Sequence, residues 1–224
     1  MRYVSFILLL FFTVSFLPGV QAQETKRPFQ KTYYEQRRTL FESLPNTKRE
    51  IIFLGNSISD GCEWAELFQN KRIKNRGISG DVTAGVLFRL DEVTESQPEK
   101  VFLLIGINDL SKDVSKDTVF SNICLIATKI KDQSPKTKVY IQSILPVNPA
   151  FGKFKKHHSK TEEILWINQQ LEDWCAINDV QFVDLFSVFK NADDNFMNPL
   201  YTNDGLHLTG AGYQVWADVL SPLL

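Results

Sequence analysis

Short apolar runs alternate along the chain with longer segments in which apolar residues recur at helical spacing. The runs stop at glycine, proline, asparagine or aspartate, and such continuous runs are typical of strands that are buried on both faces of a parallel sheet. The pattern predicts five strands, at residues 51–54, 73–78, 101–105, 139–145 and 182–186.

Helical periodicity is clearest after the second run, where the apolar residues of one face are Val82, Val86, Leu87, Leu90 and Val93. Further helices are predicted at residues 31–44, 63–68, 117–132 and 161–177, and the last helix is predicted to lie within residues 208–223. Strands that alternate with helices favour a doubly wound α/β sandwich with a parallel sheet of about five strands. Since no repeat or linker divides the chain, residues 23–224 are predicted to form a single domain.

The first residues have a different pattern from the rest of the chain. Arg2 precedes an almost entirely apolar run at residues 4–17, and Val20-Gln21-Ala22 then ends in a small residue. This order is typical of a secretory signal peptide, and the run is shorter than the roughly 20 residues that span a bilayer. We therefore expect residues 1–22 to be a cleavable signal and the protein to be exported, with an uncleaved anchor helix as the alternative.

Composition narrows the classes of partner. The chain is 43% hydrophobic and 23% charged, as in ordinary globular proteins, and its net charge of −1 gives no long-range attraction for nucleic acid or anionic membranes. Its three cysteines, Cys62, Cys124 and Cys175, are scattered and allow at most one disulfide. No Cys/His spacing matches a zinc site, so we expect no metal. Because of the low net charge, we also expect no nucleic-acid partner.

Polar clusters follow the predicted strands, at the edge where open α/β sheets bind their ligands. The clusters are residues 55–57, 77–81 and 106–109, and a fourth cluster lies near the end of the chain at residues 203–207. Ser57 comes directly after the first strand, where it is either a nucleophile or an ordinary turn residue.

Together these clusters contain the groups that ester cleavage needs. Ser57 can attack a carbonyl carbon, His207 can take the serine proton, and Asp204 can orient the histidine and stabilise its charged form. The backbone N–H groups of Ser57 and Gly80 and the side-chain amide of Asn108 can stabilise the oxyanion. We predict catalytic roles for Ser57, Asp204 and His207, and an oxyanion hole formed by Ser57, Gly80 and Asn108.

These clusters resemble the blocks of a known family, the SGNH (GDSL-type) serine esterases. The residues that carry the resemblance are Gly55-Asn56-Ser57-Ile58-Ser59, Gly80, Gly106-Ile107-Asn108-Asp109 and Asp204-Gly205-Leu206-His207. Within the family the chain resembles the platelet-activating-factor acetylhydrolase-like group. The resemblance implies a flavodoxin-like three-layer α/β/α fold, no metal or organic cofactor, and hydrolysis of small acyl esters through an acyl-serine intermediate. Asn56 departs from the pattern, since the family usually has aspartate before the nucleophile.

Several polar residues near these clusters also have simple structural interpretations. Asp81 is expected to cap the helix that starts near Val82, and Asp109 is expected to be structural. His157 and His158 lie among lysines and are expected to be solvated, in a loop that follows the fourth strand and could flank the cleft.

Three functions remain open from the sequence. The first is an exported esterase that removes short acyl groups, above all acetyl, from a carbohydrate. The alternative is a lysophospholipase or platelet-activating-factor acetylhydrolase-like lipid esterase, and the third is a non-catalytic carbohydrate-binding relative. The sequence does not specify the acylated molecule, the acyl chain length, the oligomeric state or the compartment.

Overall fold

A computed structural model describes residues 27–224, so the predicted signal peptide at residues 1–22 lies outside the described residues. Within residues 27–224, no helix combines the length and the apolar character needed to cross a membrane.

The sheet has five parallel strands in the spatial order β2-β1-β3-β4-β5. Their bounds are β1 Ile51–Gly55, β2 Ile73–Gly77, β3 Lys100–Leu104, β4 Lys138–Gln142 and β5 Gln181–Val183. This is the flavodoxin-like order, which confirms the predicted fold class. β1 and β3 are neighbours although β2 lies between them in sequence, so the direction in which strands are added reverses between them.

The α-helices of the described residues flank this sheet. They are α1 Thr32–Ser43, α2 Ser57–Asp60, α3 Trp64–Leu67, α4 Thr83–Phe88, α5 Leu90–Thr94, α6 Ile107–Leu110, α7 Lys116–Gln133, α8 Lys155–His158, α9 Thr161–Ile177, α10 Phe186–Phe189 and α11 Gly210–Leu220. Short 3₁₀ helices lie at Pro149–Phe151 and Ser221–Leu223. Right-handed crossovers place the β1–β2 connection on one face of the sheet and the later connections on the other, because the strand order reverses after β2.

A row of aromatic side chains covers one face of the sheet. Phe53, Phe102 and Tyr140 occupy paired positions on β1, β3 and β4, with ring centroids 5.2 and 4.4 Å apart. Trp64 of α3 stacks on Phe53 at 4.2 Å and meets Trp216 of α11 edge to face at 4.8 Å. The buried rings thus pack α3 and α11 against the centre of the sheet.

The helix predicted after β2 is interrupted at Arg89, where the backbone leaves helical geometry (φ −108°, ψ 17°) and separates α4 from α5. Arg89 is 2% exposed, and its guanidinium donates to Asp81 Oδ2 at 3.0 Å and to the carbonyls of Arg76 and Gly55 at 2.8 and 3.3 Å. A buried guanidinium needs partners for its N–H groups, and these contacts supply them.

Two strands end earlier than their apolar runs because side chains replace the next strand as hydrogen-bond partner. After β4, the Asn168 amide bonds the N–H and C=O of Ile144 at 2.8 and 2.9 Å. After β5, Ser143 Oγ accepts the N–H groups of Leu185 and Phe186 at 2.8 and 2.7 Å, and Phe186 begins α10. Apolar runs alone therefore overestimate these strands.

The last helix lies within the predicted segment 208–223. Leu208 forms an isolated antiparallel bridge with Thr202, and α11 begins only at Gly210.

The three cysteines are free, and burial raises the pKa of the Cys62, Cys124 and Cys175 thiols to about 12. No disulfide therefore joins the elements of this fold.

We predict that Arg89→Met lowers the free energy of unfolding by about 3–5 kcal/mol, because it leaves buried Asp81 without its cation. Urea denaturation monitored by circular dichroism measures the change. Arg49→Met is the matched control, since Arg49 pairs with Glu99 but has a side chain that is 72% exposed, and we expect only a small effect. Similar losses in the two variants would contradict the importance of the buried pair.

Candidate active site

The end of β1 places Ser57 at the start of a short helix. Asn56 is the N-cap of α2, and its Oδ1 accepts the N–H of Ile58 at 3.0 Å. Asn56 is fully buried, and its Nδ2 has no hydrogen-bond partner among the described residues. The amide oxygen thus provides a cap acceptor at the position where the resemblance leads us to expect a carboxylate.

Ser57 and Asn108 lie on the two sides of the point where the strand order reverses. Ser57 follows β1, Asn108 follows β3, and Gly55 is paired with Leu104 at the carboxyl ends of these strands. In an open α/β sheet, the crevice outside such a switch point is where ligands bind. The topology therefore brings two of the predicted site residues to the expected binding position.

A continuous hydrogen-bonded relay joins Ser57, His207 and Asp204. Ser57 Oγ lies 2.9 Å from His207 Nε2, and His207 Nδ1 lies 2.8 Å from Asp204 Oδ2. Since a carboxylate can only accept, we assign the proton to Nδ1, which leaves Nε2 free to accept from the serine hydroxyl. All three residues are partly exposed, so a substrate can reach them.

The backbone around Asp204 holds its carboxylate in place. Oδ1 accepts the N–H groups of Leu206 and His207 at 2.9 and 2.8 Å. Burial opposes ionisation, but the hydrogen bonds from the His207 ring and from these two N–H groups outweigh it and lower the pKa of Asp204. Gly205 permits this turn, because its φ is +84° and a Cβ would lie 2.2 Å from the Asn148 carbonyl oxygen.

The two other predicted oxyanion donors lie in adjoining segments. Gly80 is exposed, with a φ of +82°, and Ser79 before it donates to Asp60 at the end of α2 through both its N–H and its hydroxyl. Asn108 is buried, and its Nδ2 donates to the carbonyl of Asp81 at 3.0 Å. One amide hydrogen of Asn108 is left for another acceptor.

The sequence predicted that Asp81 caps the following helix, but the structure does not show this contact with the first turn. Its carboxylate pairs with Arg89 and also accepts the N–H of Val82 at 2.9 Å. Asp109 takes the capping position, because it accepts both the N–H and the hydroxyl of Thr83, the latter at 2.6 Å. Burial raises the pKa of Asp109 to about 6, against the lowering effect of the Thr83 hydrogen bonds.

Residues 53–215 match the model of the GDSL-like lipase/acylhydrolase family. The chain belongs to this family. Membership of this acylhydrolase family implies that the protein is an ester hydrolase, in agreement with the resemblance seen in its motifs.

Curated relatives of this GDSL-like acylhydrolase include platelet-activating factor acetylhydrolase IB subunits. The human alpha2 subunit is 26% identical over 181 residues, which cover 78% of this chain and 74% of the relative. The rat alpha1 subunit is 27% identical over 182 residues, covering 78% and 75%.

Solved structures give the same result. A GDSL-like lipase from Bacteroides thetaiotaomicron matches with a TM-score of 0.74 and 26% identity over 85% of this chain and 96% of that one. A Streptococcus pneumonia structure described as a platelet activating factor matches with a TM-score of 0.76 and 31% identity, covering 85% and 92%.

Two residues of the lysine-rich segment after β4 also reach the site of this GDSL-like acylhydrolase. His157 is half-buried rather than solvated, and its Nε2 lies 3.2 Å from Asn108 Oδ1. The Phe154 ring packs edge to face on His207 at 5.0 Å. Sequence reasoning missed both contacts, although the position of the segment at the carboxyl edge of the sheet was a usable signal.

Residues 27–224 contain no group of three or more histidine, cysteine, aspartate or glutamate side chains arranged to hold a metal ion. The ionisable side chains of the site, Asp204 and His207, are hydrogen-bonded to each other, and the Asp204 carboxylate also accepts the backbone N–H of His207.

We predict that Asp204→Asn destabilises the protein more at about pH 5.5 than at about pH 3. The folded-state pKa of Asp204 lies below its unfolded value, so its carboxylate contributes stability above the unfolded pKa of about 3.9 and loses that contribution as pH falls through the folded pKa. Urea unfolding of both proteins at the two pH values measures the difference. An equal difference at both would contradict a stabilising carboxylate.

Proposed function

We propose that this protein is an exported serine esterase that removes short acyl groups, above all acetyl, from a carbohydrate. One observation carries the proposal: Ser57, His207 and Asp204 form a relay with contacts of 2.9 and 2.8 Å at the switch point of the sheet. Family membership supports ester hydrolysis, and the relay supplies a nucleophile, a base and an orienting carboxylate for it. The apolar run and small-residue site of residues 1–22 support export.

The reaction has two halves. In the first, Ser57 Oγ attacks the acyl carbon while His207 Nε2 takes the hydroxyl proton and Asp204 stabilises the imidazolium. The N–H groups of Ser57 and Gly80 and the Asn108 amide stabilise the oxyanion. His207 then protonates the leaving alcohol, which departs and leaves an acyl-serine. In the second half, water attacks the acyl carbon, His207 takes its proton and returns it to Ser57, and the acid is released.

The mouth of the site supports a sugar-linked ester. Phe154 is 41% exposed beside His207, so it presents apolar ring surface next to the reacting groups. An aromatic ring that is exposed to solvent can pack against the apolar face of a sugar. The lipid alternative is favoured by a different observation, namely the platelet-activating factor acetylhydrolases among the relatives. The relay itself disfavours a non-catalytic binding protein.

We expect Ser57→Ala to abolish hydrolysis of p-nitrophenyl acetate, and we expect the wild type to cleave acetate faster than butyrate or octanoate. Removing the nucleophile of a triad leaves only weak residual catalysis, a loss of about 10⁶-fold in a comparable enzyme. Steady-state kinetics over the ester series measures both effects. Unchanged hydrolysis by Ser57→Ala would refute the serine mechanism, and a rate maximum at octanoate would refute the short-acyl preference.

The same purified protein distinguishes the sugar substrate from the lipid substrate. Acetate release is measured from acetylated xylan, pectin and sialic acid and, in parallel, from an acetylated phospholipid, with Ser57→Ala as the control in each. The carbohydrate proposal requires the larger kcat/KM on one of the glycans. A larger kcat/KM on the phospholipid would replace it with the lipid alternative.

We predict that kcat/KM for p-nitrophenyl acetate falls as the pH is lowered below neutrality, because the relay needs an unprotonated base. Asp204 keeps its negative charge over this change, since its pKa is lowered. A flat profile from about pH 5 to 9 would contradict a histidine base.

A further inference from the structure

A second histidine contacts the proposed oxyanion hole from outside the relay. His157 lies on α8 and is half-buried, and its Nε2 is 3.2 Å from Asn108 Oδ1. The backbone N–H of His157 donates to the Phe154 carbonyl at 2.8 Å, and this contact fixes Phe154 at the start of the short helix. The His157 ring therefore faces the residue whose amide is proposed to stabilise the oxyanion.

We propose that His157 is a positioning residue for the oxyanion hole. Its Nε2–H donates to Asn108 Oδ1 and holds the amide in the orientation that directs the free N–H of Nδ2 toward the oxyanion. The inference rests on the proposed function of the Ser57 site and assigns an additional residue to it.

The two ends of the Asn108 amide explain why such a partner matters. An asparagine amide can rotate by a half turn, which exchanges its oxygen acceptor and its two N–H donors. In the observed orientation, Nδ2 donates to the Asp81 carbonyl at 3.0 Å and Oδ1 faces His157. A half turn would place Oδ1 against the Asp81 carbonyl and Nδ2 against the His157 N–H, which opposes acceptor to acceptor and donor to donor.

The surroundings of His157 disfavour its charged form. Burial lowers the pKa of His157, and the nearby His158, His207 and Lys112 lower it further, against the raising effect of the Phe154 backbone contact. The neutral ring carries one N–H, which lies on Nε2 because Asn108 Oδ1 can only accept. Nδ1 is buried and has no hydrogen-bond partner among the described residues.

His157 is not a second base for Ser57. The serine hydroxyl is already paired with His207 Nε2 at 2.9 Å, whereas the Nε2 of His157 is engaged with Asn108. Phe154 connects the two histidines, since its ring packs edge to face on His207 at 5.0 Å and on His157 at 5.8 Å. Its backbone is left-handed (φ 54°, ψ 43°), an unfavourable conformation for a bulky residue that these two contacts help to maintain.

The experiment compares His157→Leu, His157→Gln, Asn108→Ala and the double variant Asn108→Ala/His157→Leu with the wild type, using p-nitrophenyl acetate. The Gln side chain can place an N–H near the position of His Nε2, whereas Leu cannot donate. We expect His157→Leu to lower kcat about tenfold with KM changed less than about twofold, because loss of a complete oxyanion donor costs about 10²–10³. We expect His157→Gln to recover most of the rate.

The double variant separates positioning from general support of the fold. If His157 acts through Asn108, His157→Leu has no further effect on kcat in the Asn108→Ala background. An equal loss of kcat in both backgrounds, or an unchanged kcat in His157→Leu, would overturn the inference. So would a Gln variant as slow as the Leu variant when thermal unfolding shows both to be folded.

Failure of this inference differs from failure of the proposed function. Ser57→Ala inactive together with His157→Leu unaffected would refute only the role of His157. Ser57→Ala with wild-type activity would refute the esterase mechanism and the positioning role that depends on it.

Discussion

The buried guanidinium of Arg89 is the interaction on which the arrangement of the site depends. It bonds the carbonyls of Gly55 and Arg76, at or near the ends of β1 and β2, and pairs with Asp81. Glu92 pairs with Arg89 and Arg76, so two buried cations face two buried carboxylates. Because an unpaired buried charge is costly, these partners are forced to stay together. The segments that follow the two strands therefore keep a fixed relation, and they carry Ser57 and Gly80.

Hydrogen bonds between side chains and the backbone connect this buried cluster to the segment after β3. The Asp81 carbonyl accepts from the Asn108 amide, while the neighbouring Asp109 caps α4 through Thr83. Each of these contacts joins the segment after β2 to the segment after β3. Asn108, the proposed oxyanion donor after β3, is thus held by buried polar groups that satisfy one another, which makes such a network rigid. Preorganised donors of this kind are what stabilises developing charge in ester cleavage.

The sequence was sufficient for the sheet, because fully buried parallel strands must be continuous apolar runs. The sequence also indicates Ser57, Asp204 and His207 as candidates, because their chemistry and placement around turns limit the choice, and the structure brings these residues within hydrogen-bonding distance.

Local patterns failed where a distant side chain decides the outcome. Asp81 was expected to cap α4, but its carboxylate pairs with the buried Arg89, and Asp109 from the segment after β3 bonds Thr83 instead. Apolar residues after β4 continue the run, yet Asn168 ends the strand by bonding Ile144 from another helix. His157 looked solvated because its sequence neighbours are lysines, although its ring turns toward Asn108.

The two halves of the site are supported by different parts of the fold. Ser57, Gly80 and Asn108 follow strands that the sheet and the Arg89 cluster hold in register. Asp204 and His207 lie in a loop, and that loop is attached to the segment after β4, where the Asn148 N–H donates to the Gly205 carbonyl at 2.8 Å. The same segment presents Phe154 to His207 and His157 to Asn108, so it contacts both halves. A lysine-rich stretch that resembles ordinary surface therefore contacts both the proposed base and the proposed oxyanion donor Asn108, and changes in it should affect both together.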